Sequence, residues 1–182
     1  MRNTFPHRLR KFPSGLFLFT LITIFTLFST REGFAEETTG EPVRATDFTL
    51  KTPEGSEITL EKYRGKYLLL NFWATWCGPC KIEMPSLEAL YKKFKSEKFE
   101  VLGISNDMFG ATVVVPFMEA HKLSFPVALD QRLKVSHEYG VVSLPTSFLI
   151  DPEGKIIGVL QGAEDWTQPS TLEYFKELLK SS

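Results

Sequence analysis

Two cysteines that lie three positions apart are the residues of this chain best suited to chemistry. They are its only cysteines, Cys77 and Cys80, and Gly78 and Pro79 separate them. A disulfide between residues so close in sequence closes almost no loop, so the chain-entropy model gives it little stabilising effect. We therefore expect the pair to act in thiol-disulfide exchange, in which one thiolate attacks a disulfide and a second thiol completes the reaction.

The elements around the pair determine which cysteine reacts first. Residues 67–74 form an apolar and aromatic run that predicts a strand buried on both faces, and a helix is predicted from Pro79 onward. Cys77 then stands at the helix N-terminus, where free backbone N–H groups and the helix dipole favour a thiolate. It is the expected nucleophile, and Cys80, one turn along the same face, is the expected resolving thiol. Pro79 suits the first helical turn, and Gly78 lets the backbone of another chain approach.

Composition and charge argue against several other functions. A closed zinc site needs four ligands, and only His121 and His137 would join the two cysteines once an N-terminal signal is removed. Neither histidine is given a chemical role, and Trp166 is expected to be incidental packing. There is no Gly-rich phosphate loop, and no cofactor or metal is predicted. Without residues 1–35 the chain has 16 basic and 21 acidic residues, and this net charge of −5 gives no reason to expect nucleic-acid binding.

The N-terminal residues have the pattern of a secretory signal. Basic residues among the first eleven precede residues 16–28, an uncharged apolar run of 13 residues. A membrane-spanning helix needs about 17 to 25 residues. Cleavage after Ala35 is the first expectation, and an uncleaved membrane anchor is the alternative. In both cases the basic cluster stays in the cytoplasm, so the rest of the chain is predicted to be periplasmic or on the outer face of the cytoplasmic membrane.

The remainder of the chain predicts one α/β domain. Residues 36–46 are polar and contain Gly and Pro, which indicates a linker, so the domain is expected over residues 47–182. A short N-terminal strand pair comes first, and strands and helices then alternate. The predicted strands are 48–50, 58–60, 67–74, 99–105, 126–129, 145–150 and 155–161, and the predicted helices begin at 79 and cover 113–121, 133–139 and 171–179.

Residues 71–80 read Asn-Phe-Trp-Ala-Thr-Trp-Cys-Gly-Pro-Cys and resemble the active-site strand and helix of the thioredoxin superfamily. Residues 107–130 resemble the insertion that separates its TlpA/ResA-like branch from plain thioredoxin. The other stretches similar to that branch are 60–66, Glu-Met-Pro at 83–85, and 140–151 around Leu-Pro-Thr at 144–146. The resemblance covers about residues 47–180 and implies a thioredoxin-like fold, with a central mixed β-sheet flanked by helices, an N-terminal strand pair and a central strand–helix insertion.

The resemblance also implies roles for residues near the cysteines. It implies a cis peptide bond before Pro145, with an ordinary trans turn as the alternative, and backbone atoms of Leu144 that are offered to a substrate. Trp76 is expected to shield one flank of the disulfide. Plain thioredoxin has a buried acid where this chain has Asn71, so its proton-transfer role needs another residue. Glu83 is the candidate, because the branch carries a Glu there that tunes the cysteines; the alternative is an exposed helix residue.

For function, the resemblance implies a thiol-disulfide oxidoreductase that reduces disulfides in exported proteins, with apocytochrome c thiols favoured. It implies a membrane thiol reductase of the DsbD or CcdA kind as the electron donor. The Gly-Pro dipeptide matches reducing thioredoxins and favours a reductant over a disulfide oxidant or isomerase.

A peroxiredoxin-like peroxidase is disfavoured because the motif lacks the Thr and Pro that frame a peroxidatic cysteine. A Sco-like copper protein would need a wider cysteine spacing and a histidine ligand. An interaction module that does not need its thiols stays open.

Overall fold

The computed structural model describes residues 43–96 and 98–180. The predicted signal segment, residues 1–35, and most of the predicted linker lie outside the described residues. Strands and helices alternate as the sequence predicts, with most ends displaced by one or two residues. Within the described ranges, no helix is long and apolar enough to cross a membrane. The elements are β1 (Thr49–Lys51), β2 (Glu57–Thr59), β3 (Tyr67–Trp73), α1 (Gly78–Phe94), β4 (Phe99–Ser105), α2 (Ala111–His121), β5 (Val127–Leu129), α3 (Lys134–Glu138), β6 (Thr146–Ile150), β7 (Ile156–Gln161) and α4 (Pro169–Lys180).

These strands form one mixed sheet in the order β2-β1-β5-β4-β3-β6-β7. The central strand, β3, pairs in parallel with β4 and antiparallel with β6. The N-terminal pair, β1 and β2, joins the sheet through β5, which lies in the predicted insertion. The predicted central mixed sheet with an N-terminal strand pair is therefore confirmed.

The side chains of β3 alternate between two apolar cores. Leu68 and Leu70 face one core, whereas Leu69 and Trp73 face the core that α1 and α4 cover. Because strand side chains repeat every second residue, Asn71 lies on the face of Leu69 and Trp73, toward α1. It is fully buried. A buried amide needs hydrogen-bond partners, and these come from other elements of the fold.

The helix α1 begins within a residue of its predicted start. Cys77 is its N-cap, and Pro79 lies in the first turn, where its missing N–H costs no helical hydrogen bond. Its buried residues recur at helical spacing and put one face against β3. They are Cys80, Glu83, Met84, Leu87, Glu88, Leu90 and Tyr91. Glu83 therefore lies on the inward face, and the alternative of an exposed helix residue is wrong.

The N-terminal boundary of the domain differs from the predicted one near Asp47. The backbone N–H of Ile156 donates to the carbonyl of Val43 at 2.8 Å, and that of Ala45 donates to the carbonyl of Gly154 at 2.9 Å. Ala45 is buried. The residues from 43 onward thus belong to the folded domain, because their backbone pairs with the β6–β7 turn, a contact that the polar composition of this stretch does not indicate.

Candidate active site

The two cysteines form a disulfide at the N-terminus of α1. Their sulfur atoms are 2.09 Å apart. The sulfur of Cys77 also accepts a hydrogen bond from the backbone N–H of Cys80 at 3.2 Å. This places the Cys77 sulfur among the free N–H groups of the first helical turn, where negative charge is stabilised. In the reduced protein the same position would favour a Cys77 thiolate.

The two sulfur-bearing residues differ in their access to the surface. Cys80 is 0% exposed and Cys77 is 5% exposed. Cys77 also lines an open groove. Other residues that line it include Trp76, Gly78, Pro79, Val142 and Leu144. Cys80 does not line this groove, so an incoming sulfur reaches Cys77 first. This difference in access agrees with the expected order, in which Cys77 reacts with the partner and the buried Cys80 is the resolving thiol.

Exposed apolar side chains surround the groove. Trp76 is 68% exposed and Val142 is 85% exposed. The two residues come from different parts of the chain. Trp76 directly precedes Cys77, whereas Val142 belongs to the loop before β6. This apolar rim gives a polypeptide with apolar side chains a surface to contact beside the disulfide.

The loop before β6 carries the cis peptide bond that the resemblance implies, between Leu144 and Pro145. Pro145 is buried, Leu144 is half-buried, and Leu144 lines the groove together with Cys77. The carbonyl of Pro145 accepts a hydrogen bond from the backbone N–H of Gly162 at 2.9 Å. The structure thus brings this segment, 67 residues later in the chain than Cys77, to the edge of the disulfide.

Glu83 is a buried acid one turn beyond Cys80, and it is 1% exposed. Its Oε1 accepts hydrogen bonds from the indole N–H of Trp166 at 2.6 Å and from the amide of Asn71 at 3.1 Å. Burial raises the pKa of Glu83 to about 7, and the hydrogen bond from Trp166 and the nearby backbone N–H of Glu164 oppose that rise. A carboxyl group that titrates near neutral pH can give and take a proton under ordinary conditions.

Two oxygens of this cluster lack a partner. Asn71 Oδ1 and Glu83 Oε2 are both buried with no group in hydrogen-bond geometry among the described residues. The Asn71 amide is otherwise engaged, since it also donates to Ser147 Oγ at 2.9 Å. A buried carboxylate with one oxygen left without a donor is costly, and protonation of Glu83 removes that charge. The neutral carboxylic acid therefore fits the cluster better than the carboxylate does.

Two contributors to the site were not identified from the sequence. Trp166, expected to be incidental packing, is instead 2% exposed and bonded to Glu83. Asp107 is buried and accepts hydrogen bonds from the backbone N–H of Thr75 at 2.9 Å and from its hydroxyl at 2.6 Å. Asp107 thereby holds the residue two positions before Cys77. Trp166 lies 83 residues from Glu83 and Asp107 lies 32 from Thr75, and no local pattern indicates contacts over such separations.

The remaining predicted residues lie where the sequence indicated. Gly78, Pro79 and both histidines, His121 and His137, are exposed. Over residues 43–96 and 98–180, there is no group of three or more His, Cys, Asp or Glu side chains placed to hold a metal ion.

Comparison with known proteins shows which family the chain belongs to. The sequence model of the AhpC/TSA family matches residues 43–159. A protein of Bacillus thuringiensis subsp. konkukian, named thiol-disulfide oxidoreductase ResA, is 40% identical over 134 residues, which cover 74% of this chain and 76% of the relative. The protein of the same name from Bacillus subtilis is 41% identical over 127 residues, 70% of each chain. The resemblance found in the sequence is thus confirmed.

Solved structures agree with these sequence relatives. StoA from Bacillus subtilis has a TM-score of 0.60 at 31% identity, with 75% of this chain and 98% of StoA covered. A thiol-disulfide oxidoreductase from Bacteroides fragilis has a TM-score of 0.64 at 30% identity, with 74% and 98% covered. Both match nearly their whole length, so the thioredoxin-like fold implied by the sequence is confirmed.

Proposed function

We propose that this chain, which belongs to the AhpC/TSA family and is a thiol-disulfide oxidoreductase, works as a reductant of disulfides in exported proteins. The observation that carries the proposal is the unequal access of its two cysteines. Cys77 lines an open groove at a helix N-terminus, whereas Cys80 is fully buried behind it. This is the arrangement that a two-step exchange requires, with one sulfur for the partner and one for release.

The proposed reaction starts from the dithiol. The Cys77 thiolate attacks one sulfur of a substrate disulfide, and the other substrate sulfur leaves as a thiolate that takes up a proton. Cys80 then loses its proton and attacks the Cys77 sulfur of the mixed disulfide, which releases the second substrate sulfur. The substrate gains two electrons and two protons, and the chain is left with the Cys77–Cys80 disulfide that the structure contains.

Glu83 is the proposed proton partner of Cys80. The second step needs a base near a fully buried thiol, and Glu83 is a buried carboxyl group one turn along the same helix. Burial raises the pKa of Glu83 to about 7, which is close to neutral pH, so the group can both accept and release a proton under these conditions. The carboxylate accepts the Cys80 proton as the thiolate attacks, and it returns that proton when the disulfide is reduced again.

The groove beside Cys77 is the proposed substrate site. Trp76 and Pro79 form its wall on the side of the cysteines, with Gly78 leaving space for an approaching backbone. Leu144, which precedes the cis bond to Pro145, lines the groove as well, and its backbone groups would pair with an extended substrate segment. A substrate bound there lies within reach of the Cys77 sulfur.

The TlpA/ResA resemblance supports more specific partners. We propose apocytochrome c thiols as the favoured substrate, and a membrane thiol reductase of the DsbD or CcdA kind as the donor that reduces the Cys77–Cys80 disulfide again. The location is proposed to be extracytoplasmic, because residues 1–35 have the pattern of a signal peptide or membrane anchor. An oxidising compartment would explain why such a reductant needs a donor in the membrane.

A disulfide oxidant or isomerase is the second candidate, because the same dithiol runs in either direction according to its reduction potential. The Gly-Pro dipeptide between the cysteines favours the reductant. Nothing comparable favours a peroxidase, a copper carrier or an interaction module that does not use its thiols.

Trapping the mixed disulfide tests the proposed order of the cysteines. The Cys80→Ser variant, mixed with a disulfide-bearing protein such as insulin, should accumulate a covalent complex through Cys77. The Cys77→Ser variant should form none and should lose insulin reduction. A complex that forms equally well through Cys80 in the Cys77→Ser variant would contradict the assignment.

A further inference from the structure

The loop between β7 and α4, residues 162–168, is fastened to α1 beside the active site. The hydroxyl of Ser86 approaches the carbonyl of Glu164 at 3.2 Å and that of Glu83 at 2.8 Å, and it shares its single proton between them. The backbone N–H of Trp166 donates to the same hydroxyl at 3.2 Å. These contacts fix the backbone on both sides of residue 165 against one turn of α1. The indole of Trp166 therefore enters the core in a defined position.

The polar end of that indole has one partner. Trp166 is buried, it packs against Phe175 of α4, and its N–H donates to Glu83 Oε1 at 2.6 Å. A buried indole N–H is stabilised by a hydrogen bond, and a bond to an acid oxygen is stronger when the acid is ionised. Packing alone would not require the indole N–H to meet the buried acid one turn beyond Cys80.

We propose that Trp166 is a positioning residue of the exchange reaction, whose indole N–H holds the Glu83 carboxyl group in place and favours its ionised form. The inference rests on the proposed role of Glu83 as the proton partner of Cys80. Loop 162–168 then controls the pH range in which Cys80 can be deprotonated. Trp166 itself does not contact the sulfur atoms in this account; it acts through Glu83.

The groups around Glu83 favour this account. Burial opposes charge on the carboxyl group, and the negative Glu164 opposes it further. The Trp166 indole and the Asn71 amide donate hydrogen bonds that favour the charge, and the nearby backbone N–H of Glu164 favours it as well. The two donors have uncharged partners of their own, since Asn71 also donates to Ser147 of β6 and Trp166 packs against Phe175 of α4. In the reduced protein the thiols of Cys77 and Cys80 are further titratable groups of the site. Loss of the indole donor thus removes a large share of what opposes burial.

The wild-type protein itself provides the first test. In a ¹⁵N–¹H spectrum of the oxidised protein, the indole N–H resonance of Trp166 should move with pH through an apparent pKa of about 7, that of Glu83. The same resonance should stop titrating in Glu83→Gln. The indole of Trp73, buried with no hydrogen-bond partner among the described residues, should not move over this range and serves as an internal control. A pH-independent Trp166 resonance in the wild-type protein would overturn the proposal.

The second test removes the donor but keeps the aromatic bulk. In oxidised Trp166→Phe, the pKa of the Glu83 carboxyl carbon, followed by ¹³C NMR, should rise by about one to two pH units. The pH profile of disulfide exchange by the reduced variant should move in the same direction. Phe175→Leu, which loses packing against Trp166 but keeps the donor, should leave both at their wild-type values. A wild-type carboxyl pKa or pH profile in Trp166→Phe would contradict the proposal.

The two readouts separate this inference from the proposed function. The carboxyl titration does not depend on any substrate. If the wild-type protein reduces disulfides while the Glu83 pKa is the same in Trp166→Phe, the inference fails and the function stands. If the Glu83 pKa moves but the wild-type protein exchanges no disulfides at any pH, the proposed function fails, and with it the positioning role in that reaction.

Discussion

The amide Nδ2 of Asn71 lies 3.1 Å from Oε1 of Glu83 and joins the central strand, β3, to the active-site helix, α1. In the thioredoxins that the sequence resembles, the strand position of Asn71 holds a buried acid. In this chain the buried acid is Glu83 of α1, and it accepts a hydrogen bond from Asn71 of β3. A buried carboxyl group is thus retained next to the cysteines, although the element that supplies it has changed. Its titration should control the pH behaviour of the site.

The first prediction concerns the rate of exchange. Glu83→Gln keeps the shape of the side chain and an acceptor for Trp166 but cannot take a proton. The release of substrate from the mixed disulfide should therefore slow by on the order of 10²-fold, and the rate should lose its dependence on a group that titrates near pH 7. Stopped-flow mixing of the reduced variant with a model disulfide measures both effects. An unchanged rate and pH profile would remove Glu83 from the mechanism.

The second prediction concerns stability as a function of pH. Burial raises the pKa of Glu83 from its ordinary value of 4.5 to about 7 in the folded protein. The unfolded chain therefore binds fewer protons than the folded one between these values, and the stability from the protonated group is lost as pH rises. Between about pH 5 and about pH 8, the oxidised wild-type protein should lose up to about 3 kcal/mol relative to Glu83→Gln. Urea unfolding of both proteins at each pH measures this difference, and two parallel curves would contradict it.

Part of the site followed from local pattern, namely the cysteines and the helix that begins between them. The cis bond before Pro145 and the candidate acid Glu83 came from the resemblance to the TlpA/ResA-like branch. The contacts of Glu83 with Trp166 and of Asp107 with Thr75 were not, because they join residues far apart in the chain through single hydrogen bonds. The burial of Glu83 was likewise settled only by the packing of α1 on β3. Periodicity identifies an element and its inward face, whereas the partner of a buried polar atom depends on the tertiary fold.

The third prediction concerns Asp107, which accepts hydrogen bonds from the N–H and hydroxyl of Thr75 and from the hydroxyl of Ser105. Asp107→Asn turns a buried carboxylate that only accepts hydrogen bonds into an amide that also donates. The variant should lose about 1 to 3 kcal/mol of unfolding free energy. It should also reduce disulfides more slowly, because the residues before Cys77 are less well fixed. Urea unfolding and an insulin reduction assay measure the two effects.

A matched control for this change is Asp47→Asn, which alters an exposed carboxylate paired with Arg64. Its unfolding free energy should stay within about 0.5 kcal/mol of wild type. If Asp107→Asn is as mild as Asp47→Asn in both assays, the proposed anchoring of the active-site loop is wrong.

The fourth prediction concerns the apolar rim of the groove. Val142 is exposed in the unbound protein, so Val142→Asp should change the unfolding free energy by less than about 0.5 kcal/mol. It should raise KM for a protein disulfide about tenfold, equal to about 1.4 kcal/mol of binding, and leave kcat near wild type. Val159→Asp, on the edge strand β7 away from the groove, is the control. Equal KM values for the two variants would exclude Val142 from the substrate surface.

The reduction potential of the Cys77–Cys80 pair tests the central proposal most directly. Equilibration with glutathione or dithiothreitol gives it, and for two electrons about 30 mV is a tenfold change in the equilibrium constant. A reductant supplied with electrons from the membrane should have a potential near or below roughly −250 mV. A value near the roughly −120 mV of a strong disulfide oxidant would contradict the reducing role and assign the chain to disulfide formation.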